Sequence, residues 1–228
     1  DFSGTFSADA TGVTANTTYA TPGTYTVALR VTTDNGCIDT VQQVIEIFPN
    51  PAAAFTFSDV CADSTVAFDA NTSSIASGSI VSYEWDFDFS GTFSADATGI
   101  TTNHIYPAAG TYTAALRITS DNGCVDTVQQ VIEIFPNPTA SFTFSDVCAD
   151  STVNLDASAS SVATGSIASY EWDFDFTGTF SADATGVTAN TTYATPGTYT
   201  VALRITTDNG CVDTVQQVIE IFPNPTAS

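Results

Sequence analysis

The sequence has 228 residues, of which 43% are hydrophobic and only 12% charged, so it is neither a disordered acidic tail nor a membrane protein. Acidic residues number 25 against three basic ones, which gives a formal net charge of -22. Such a surface cannot neutralise phosphates and is repelled by anionic lipids, which excludes nucleic-acid binding and argues against direct membrane insertion. The chain has one histidine and no lysine, so the side chains of acid-base and nucleophilic catalysis are scarce and we expect no enzymatic activity.

The chain is a tandem repeat with a period of 87 residues. The tripeptide NGC recurs with this spacing, and so does VCADSTV, which places the cysteines at Cys37, Cys61, Cys124, Cys148 and Cys211. A unit of this length can bury a core of its own, which predicts separate domains rather than stacked solenoid turns. We predict an incomplete repeat over 1–51, complete repeats over 52–138 and 139–225, and the start of another repeat at 226–228. The FPNP sequences at the junctions favour short, stiff connections.

Within a complete repeat, apolar and polar residues alternate in short runs bounded by Ser, Asp, Asn or Gly. In chain order, the first runs carry Phe55 and Phe57, then Val66 and Phe68, then Val81, Tyr83, Trp85 and Phe87. The next run, 111–119, has one apolar face formed by Tyr112, Ala114, Leu116 and Ile118. The turn at 121–123 and a strand over 127–134 complete a hairpin. These six or seven short strands, with no helical period, predict an all-β fold in which each repeat is a two-sheet antiparallel sandwich.

Three segments of the middle repeat carry a resemblance to a known family: YEWDFDFSG at 83–91, NHIYPAAGTYTAALRITSDNGC at 103–124 and DTVQQVIEI at 126–134. They resemble the PKD domain, whose signature joins a WDFGDG segment, an HxY and a GTYTVxLxVxDxxG run. The chain departs from this signature where WDFDFSGTFSADATG replaces WDFGDG. The resemblance implies tandem immunoglobulin-like antiparallel β-sandwiches. It also implies an extracellular or cell-surface location and a role as a spacer, adhesive or fibre-forming module.

The five cysteines lack CxxC spacing, which favours disulfides over zinc and an oxidising compartment. The topology puts Cys61 and Cys124 at opposite ends of one sandwich, roughly 25 to 30 Å apart at about 3.3 Å per strand residue. Because bridged cysteines need Cα atoms within about 7 Å, we prefer an interdomain bond between Cys61 and Cys211. The intradomain alternative, Cys61 with Cys124 and Cys148 with Cys211, stays open, as do free or intermolecular thiols.

An acidic loop follows each tryptophan strand and begins like a calcium-binding loop, with carboxylates at alternate positions around a glycine. The candidate calcium ligands are Asp86, Asp88, Ser90, Thr92 and Asp96 in the middle repeat and Asp173, Asp175, Thr177, Thr179 and Asp183 in the last one. The glutamate that closes an EF-hand loop is replaced by Ala97. The competing interpretation is that these side chains cap turns and keep the surface soluble.

The function that we expect is structural. Near-identical acidic units suit an extracellular stalk or filament, as a segment of a much longer chain, whose partners are neighbouring repeats or copies of itself in a fibre. The alternative is a cell-surface adhesin whose repeats bind glycan or protein ligands. The repeat at 1–51 lacks half of a sandwich, which predicts an exposed sheet edge and half a core. Either the chain is a window on a longer array, or a neighbouring chain donates the missing strands.

Overall fold

The computed structural model describes residues 1–226, with sixteen strands, and no helix occurs in that range that could span a bilayer. The incomplete first copy has two strands: β1 Gly23–Thr32 and β2 Ile38–Ile47. The middle copy has seven: β3 Val60–Cys61, β4 Thr65–Asp69, β5 Ile80–Asp86, β6 Ala97–Thr98, β7 Thr101–Ile105, β8 Gly110–Ser120 and β9 Val125–Phe135. The third copy has the equivalent seven: β10 Val147–Cys148, β11 Thr152–Asp156, β12 Ile167–Asp173, β13 Ala184–Thr185, β14 Thr188–Thr192, β15 Gly197–Thr207 and β16 Val212–Phe222. The last two residues, part of the predicted fourth repeat at 226–228, lie outside the described range.

The contacts divide the chain into two compact units. The first unit comprises residues 1–56, 68–102 and 114–130, and it holds the sheet β1–β2 and the pairing of β5 with β6 and β8. The second unit comprises residues 57–67, 103–113 and the chain from 131 onward. It holds β3 and all seven strands of the third copy.

The third copy is a sandwich of a five-stranded sheet, in the order β10-β16-β15-β12-β13, and a two-stranded sheet, β11–β14. The middle copy repeats both sheets, as β3-β9-β8-β5-β6 and β4–β7. The predicted all-β, tandem sandwich fold is therefore confirmed. One detail differs from an antiparallel sandwich: β10 runs parallel to the end of β16 over two residues, because the chain crosses from one sheet to the other there.

The core of the third copy lies between its two sheets and is centred on Trp172. This indole is fully buried, meets Phe142 edge to face at 5.2 Å, and donates its Nε1–H to the Gly186 carbonyl at 2.8 Å. In the middle copy Trp85 meets Phe55 in the same way at 5.2 Å. The tryptophans are core anchors, because a buried indole needs both apolar contact and a partner for its N–H.

The long hairpins form because alternating apolar residues flank a turn with a glycine in the left-handed region. In the β15–β16 hairpin, Gly210 has a φ of 83° and donates its N–H to the Thr207 carbonyl at 3.0 Å. Of the predicted inner residues of β8, Ala114, Leu116 and Ile118 are buried and Tyr112 is half-buried. Ala115 on the opposite face is buried too, so this central strand is covered on both sides over that stretch.

Candidate metal centre and cysteine pairing

The acidic loop of the third copy starts at the last residue of β12. Asp173 is almost fully buried, and its two carboxylate oxygens accept hydrogen bonds from the backbone N–H groups of Asp175 at 3.2 Å and Ser181 at 2.8 Å. Asp183 accepts from the N–H of Phe174 at 2.7 Å. The carboxylates therefore fold the loop by satisfying its backbone donors, since few backbone partners are available to an irregular segment.

Three carboxylates meet in each complete loop. In the third copy they belong to Asp173, Asp175 and Asp183, and one oxygen of each lies within 4.8 Å of the others. Asp86, Asp88 and Asp96 form the same cluster in the middle copy. Each cluster could hold a metal ion, because hard cations take several carboxylate oxygens at once and hydrogen-bonded oxygens keep a lone pair.

The hydroxyl residues predicted as further ligands lie on the surface of the same loops. Ser90, Thr92, Thr177 and Thr179 are all exposed. The first copy retains Asp1, Ser3 and Asp9, but no described residue corresponds to Asp86 or Asp173. Among residues 1–226, only the two complete loops therefore bring three carboxylates together.

In the part of the chain that the structure describes, the cluster carboxylates accept backbone N–H groups but form no ion pair. Arg204 forms an ion pair with Glu171 at 2.9 Å and stacks on the Phe180 ring at 4.2 Å, and no ion pair of residues 1–226 includes a cluster carboxylate. Burial, and secondarily the nearby Asp175 carboxylate, raises the pKa of Tyr193 to about 12. Its hydroxyl therefore stays protonated and donates to the Phe174 carbonyl at 2.7 Å.

The stacking of arginine on phenylalanine was missed by the sequence analysis. Arg30, Arg117 and Arg204 lie over the rings of Phe6, Phe93 and Phe180 at 4.2 to 4.3 Å. The available signal was the recurrence of this phenylalanine in a polar loop, at the same place in every copy. The stack holds the loop against the hairpin, and it is stronger where the guanidinium is partly desolvated.

One disulfide is present, between Cys61 and Cys211, with Cα atoms 5.6 Å apart. Cys61 is the last residue of β3, and it pairs with Phe135 at the end of β9. Cys211 follows the turn at Gly210, where its N–H donates to Thr207 Oγ1 at 3.0 Å. Both cysteines are thus held by short hydrogen-bonded turns, and both lie in the second compact unit.

The remaining cysteines carry free thiols in this structure. Cys37 and Cys148 are exposed, and Cys124 is partly buried. The structure therefore brings together the two members of the interdomain pair and leaves the alternative partners, Cys124 and Cys148, without bonds.

The third copy also has a shallow groove with a volume of about 360 Å³. Its lining is mainly polar and is contributed by Thr143, Asn154, Asp156, Thr188 and Asn190, among others. In the middle copy, Ala67 replaces Asn154, so the groove does not recur unchanged.

Known structures with detectable similarity include domains from bacterial and animal proteins. The PKD1 domain of the Vibrio cholerae metalloprotease PrtV is 36% identical and matches 37% of this chain and 96% of that domain, with a TM-score of 0.32. The PKD1 domain of Vibrio anguillarum Epp is 28% identical over 37% of this chain and 93% of that domain, also with a TM-score of 0.32. The fibronectin(III)-like modules of Clostridium thermocellum CbhA are 12% identical over 75% of this chain and 95% of that one, with a TM-score of 0.40.

The PKD domain family matches three successive stretches, residues 4–48, 49–135 and 136–222. These stretches cover nearly the whole chain and follow the 87-residue period of the sequence. The chain therefore belongs to the PKD domain family, in three tandem copies of which the first is partial.

Proposed function

We propose that this chain is a segment of a long extracellular or cell-surface repeat protein, in which PKD units form a stalk or filament. The units would be the incomplete repeat 1–51 and the complete repeats 52–138 and 139–225. The observation that carries the proposal is the disulfide between Cys61 and Cys211, because these residues belong to two successive family matches. Disulfides persist mainly in oxidising compartments. The net charge of -22 further opposes collapse of the array on itself.

A covalent bond between successive units restricts their relative movement, which is what a load-bearing or reach-extending array requires. The pairing is tested by mapping peptides of the native protein without reduction. We expect a fragment in which Cys61 is joined to Cys211. Recovery of Cys61 joined to Cys124, or Cys148 joined to Cys211, would instead establish the intradomain arrangement and remove the proposed covalent joint.

The stalk itself is tested by small-angle X-ray scattering of the oxidised chain. A unit is about 36 Å long if its longest strands span it at about 3.3 Å per residue. Two and a half units in a row then form a rod of about 90 Å, whose radius of gyration is about 26 Å. A single compact body of this chain length has about 17 Å. A value near the smaller figure would contradict a spacer function.

We propose Ca²⁺ as the ligand of the two complete acidic loops. Support comes from the three carboxylates gathered in each loop and from the absence, within residues 1–226, of an ion pair between these carboxylates and an arginine. Asp88 and Asp175 are exposed and can approach an ion without rearrangement of the core. Calcium tolerates the loose geometry and the variable ligand number of such a loop, and water molecules would complete its coordination.

An adhesin that binds glycans is the second candidate function, and the polar groove of the third copy favours it. Amide and carboxylate groups such as those of Asn190 and Asp156 suit the hydroxyls of a sugar. Glycan-array binding that is lost in Asn190→Ala, and retained in Asn103→Ala at the equivalent position of the middle copy, would support this function. The absence of binding to any glycan, with a radius of gyration near 26 Å, would favour the stalk.

A further inference from the structure

Each of the three long hairpins has an asparagine followed by a glycine at its turn: Asn35-Gly36, Asn122-Gly123 and Asn209-Gly210. In the third copy both residues are exposed, and a Cβ added to Gly210 would meet no atom within 4 Å. The glycine is needed for its φ of 83°, which residues with a side chain disfavour. The same lack of a side chain leaves the peptide bond between Asn209 and Gly210 open to solvent and to chemical attack.

The reaction that an asparagine-glycine pair undergoes is deamidation. The backbone nitrogen of Gly210 attacks Cγ of Asn209 and forms a C–N bond, and the side-chain nitrogen leaves as ammonia with the proton of the attacked peptide bond. Water then opens the resulting succinimide at one of its two carbonyls. The product is aspartate, or isoaspartate when the chain continues through the former side-chain carbonyl. Water is the only co-reactant, and nothing is oxidised or reduced.

The folded turn opposes the first step of this reaction. The Gly210 N–H donates to the Thr207 carbonyl at 3.0 Å, so the attacking nitrogen keeps its proton and faces into the turn. Two further hydrogen bonds close the turn, from the Thr207 N–H to the Cys211 carbonyl at 2.8 Å and from the Cys211 N–H to Thr207 Oγ1 at 3.0 Å. Asn209 therefore reacts only in molecules whose turn has opened.

The disulfide bears on this opening, because it is attached to the last residue of the turn. Cys211 is only 1% exposed and is bonded to Cys61 of the preceding copy. The turn of the middle copy has the same hydrogen bonds, including one from the Gly123 N–H to the Ser120 carbonyl at 2.9 Å, and it takes no part in this disulfide. It therefore provides an internal reference with the same Asp-Asn-Gly-Cys sequence.

We propose that Asn209 is a slow modification site, converted to aspartate and isoaspartate through a succinimide with Gly210, and that the disulfide between Cys61 and Cys211 controls the rate by holding the turn closed. The inference goes beyond the proposed stalk and rests only on the cross-link of its joint. While the bond is present, opening must displace a buried residue that is tied covalently to another copy. After reduction, the turn opens against its hydrogen bonds alone.

Modification in turn weakens the joint. Isoaspartate adds one carbon to the backbone between Thr207 and Cys211, so the three hydrogen bonds of the turn no longer fit together. Both products also add a negative charge beside Asp208, whose carboxylate already accepts from Ser166 Oγ at 3.2 Å. Hydrolysis of the succinimide does not restore the asparagine. Reduction followed by deamidation therefore converts the joint irreversibly into a looser one.

The site is tested by incubating the full chain in mildly alkaline buffer and following Asn209 and Asn122 by mass spectrometry of proteolytic fragments. Mapping without reduction first establishes that Cys61 is joined to Cys211. We expect Asn209 to deamidate about tenfold more slowly in the native chain than in Cys61→Ser, whereas Asn122 reacts equally fast in both. Cys148→Ser, at the equivalent position of the next copy, is the matched control and should leave both rates unchanged. In urea, Asn209 and Asn122 should react at the same rate.

A second variant separates the closed turn from the general stability of the third copy. Leu203→Ala removes fully buried methyl groups and destabilises this copy while the disulfide stays in place. We expect Asn209 to react much more slowly in Leu203→Ala than in Cys61→Ser. Hydrogen exchange of the Gly210 amide should rank the variants in the same order, because exchange and succinimide formation both require the turn to open.

Four results would overturn the inference. Equal rates at Asn209 in the native chain and in Cys61→Ser refute control by the disulfide, and so does an equal acceleration by Leu203→Ala. A lack of reaction at Asn209 in urea refutes the site itself. If mapping finds Cys61 unbonded to Cys211, the proposed covalent joint fails together with this inference. A bond that is present but does not slow Asn209 refutes this inference alone.

Discussion

The first and third copies share a hairpin of the same register and differ in what lies against it. β1–β2 pairs Gly23 with Ile47, and β15–β16 pairs Gly197 with Ile221 at the equivalent positions. The turns are alike as well, since Gly36 and Gly210 both have a φ of 83°. Yet the apolar side is exposed in the first hairpin and buried in the third copy. Hairpin pairing is thus encoded locally, whereas burial depends on the preceding half of the repeat.

The largest expected difference between the two copies concerns a leucine at the same position of each hairpin. Leu203→Ala removes fully buried methyl groups and should lower the free energy of unfolding of the third copy by about 2 to 5 kcal/mol. Leu29→Ala should change stability by no more than about 0.5 kcal/mol. Urea unfolding monitored by Trp172 fluorescence in a Trp85→Phe background measures the Leu203→Ala effect, and calorimetric melting of the whole chain measures the Leu29→Ala effect. Equal losses in the two variants would falsify the contrast in burial.

The disulfide provides the second contrast, because Cys211 is bonded and its counterpart Cys37 is free. The double variant Cys61→Ser/Cys211→Ser should lose about 2 to 4 kcal/mol of stability in the third copy, through the greater freedom of its unfolded chain. Cys37→Ser serves as the matched control and should be neutral. Calorimetric melting of both variants, with and without reductant, tests this. A melting profile of the native chain that reductant leaves unchanged argues against the bond.

Calcium should distinguish complete from incomplete copies by stoichiometry. Titration calorimetry is expected to give two ions per chain, since three carboxylates meet only in the two complete loops of residues 1–226. At ten times the dissociation constant, each occupied site adds about 1.4 kcal/mol of stability, which chelation removes. Asp175→Asn should abolish one site, and Asp9→Asn in the first copy should change nothing. Melting that is insensitive to both Ca²⁺ and chelator contradicts the proposal.

The smallest expected effect appears only in alkali and concerns Tyr193. Burial raises the pKa of this hydroxyl from 10.0 to about 12, so the unfolded chain releases the proton at a lower pH than the folded chain does. Stability of the third copy is therefore unaffected below pH 10 and falls as the pH rises from about 10 towards 12. Phenolate absorbance during pH titration should show a late component that Tyr193→Phe diminishes. If all tyrosines instead titrate together near pH 10, the predicted rise in the pKa of Tyr193 is wrong.

Much of the fold could be predicted from the sequence, because period-two alternation and turn residues act over short distances. The faces of β8 follow from Ala114, Leu116 and Ile118, and the hairpin turn follows from Asp121-Asn122-Gly123. The parallel contact of β10 with β16 could not be predicted, because two residues carry no periodic signal. Ala115 lies on the face of β8 that was predicted to be exposed. Its burial depends on neighbours that are remote in sequence, which a local pattern cannot show.

The candidate site could be predicted only in part. Alternating aspartates indicated Asp86, Asp88 and Asp96, whose carboxylates the structure gathers in one cluster, whereas the roles of Ser90 and Thr92 stay predictions. Spacing cannot distinguish a ligand from a neighbour when a loop turns irregularly. The arginine stacks were missed for a similar reason, since a phenylalanine in a polar loop is ambiguous until the loop is folded.

The three arginine stacks have a consequence for resistance to proteolysis. The chain has no lysine, so a protease that cleaves after basic residues has only three peptide bonds to attack. Each of them follows an arginine in the middle of a long hairpin strand, with its guanidinium against a phenylalanine ring. Cleavage requires an extended, accessible segment, which a paired strand does not offer. The folded chain is therefore a poor substrate for trypsin-like digestion.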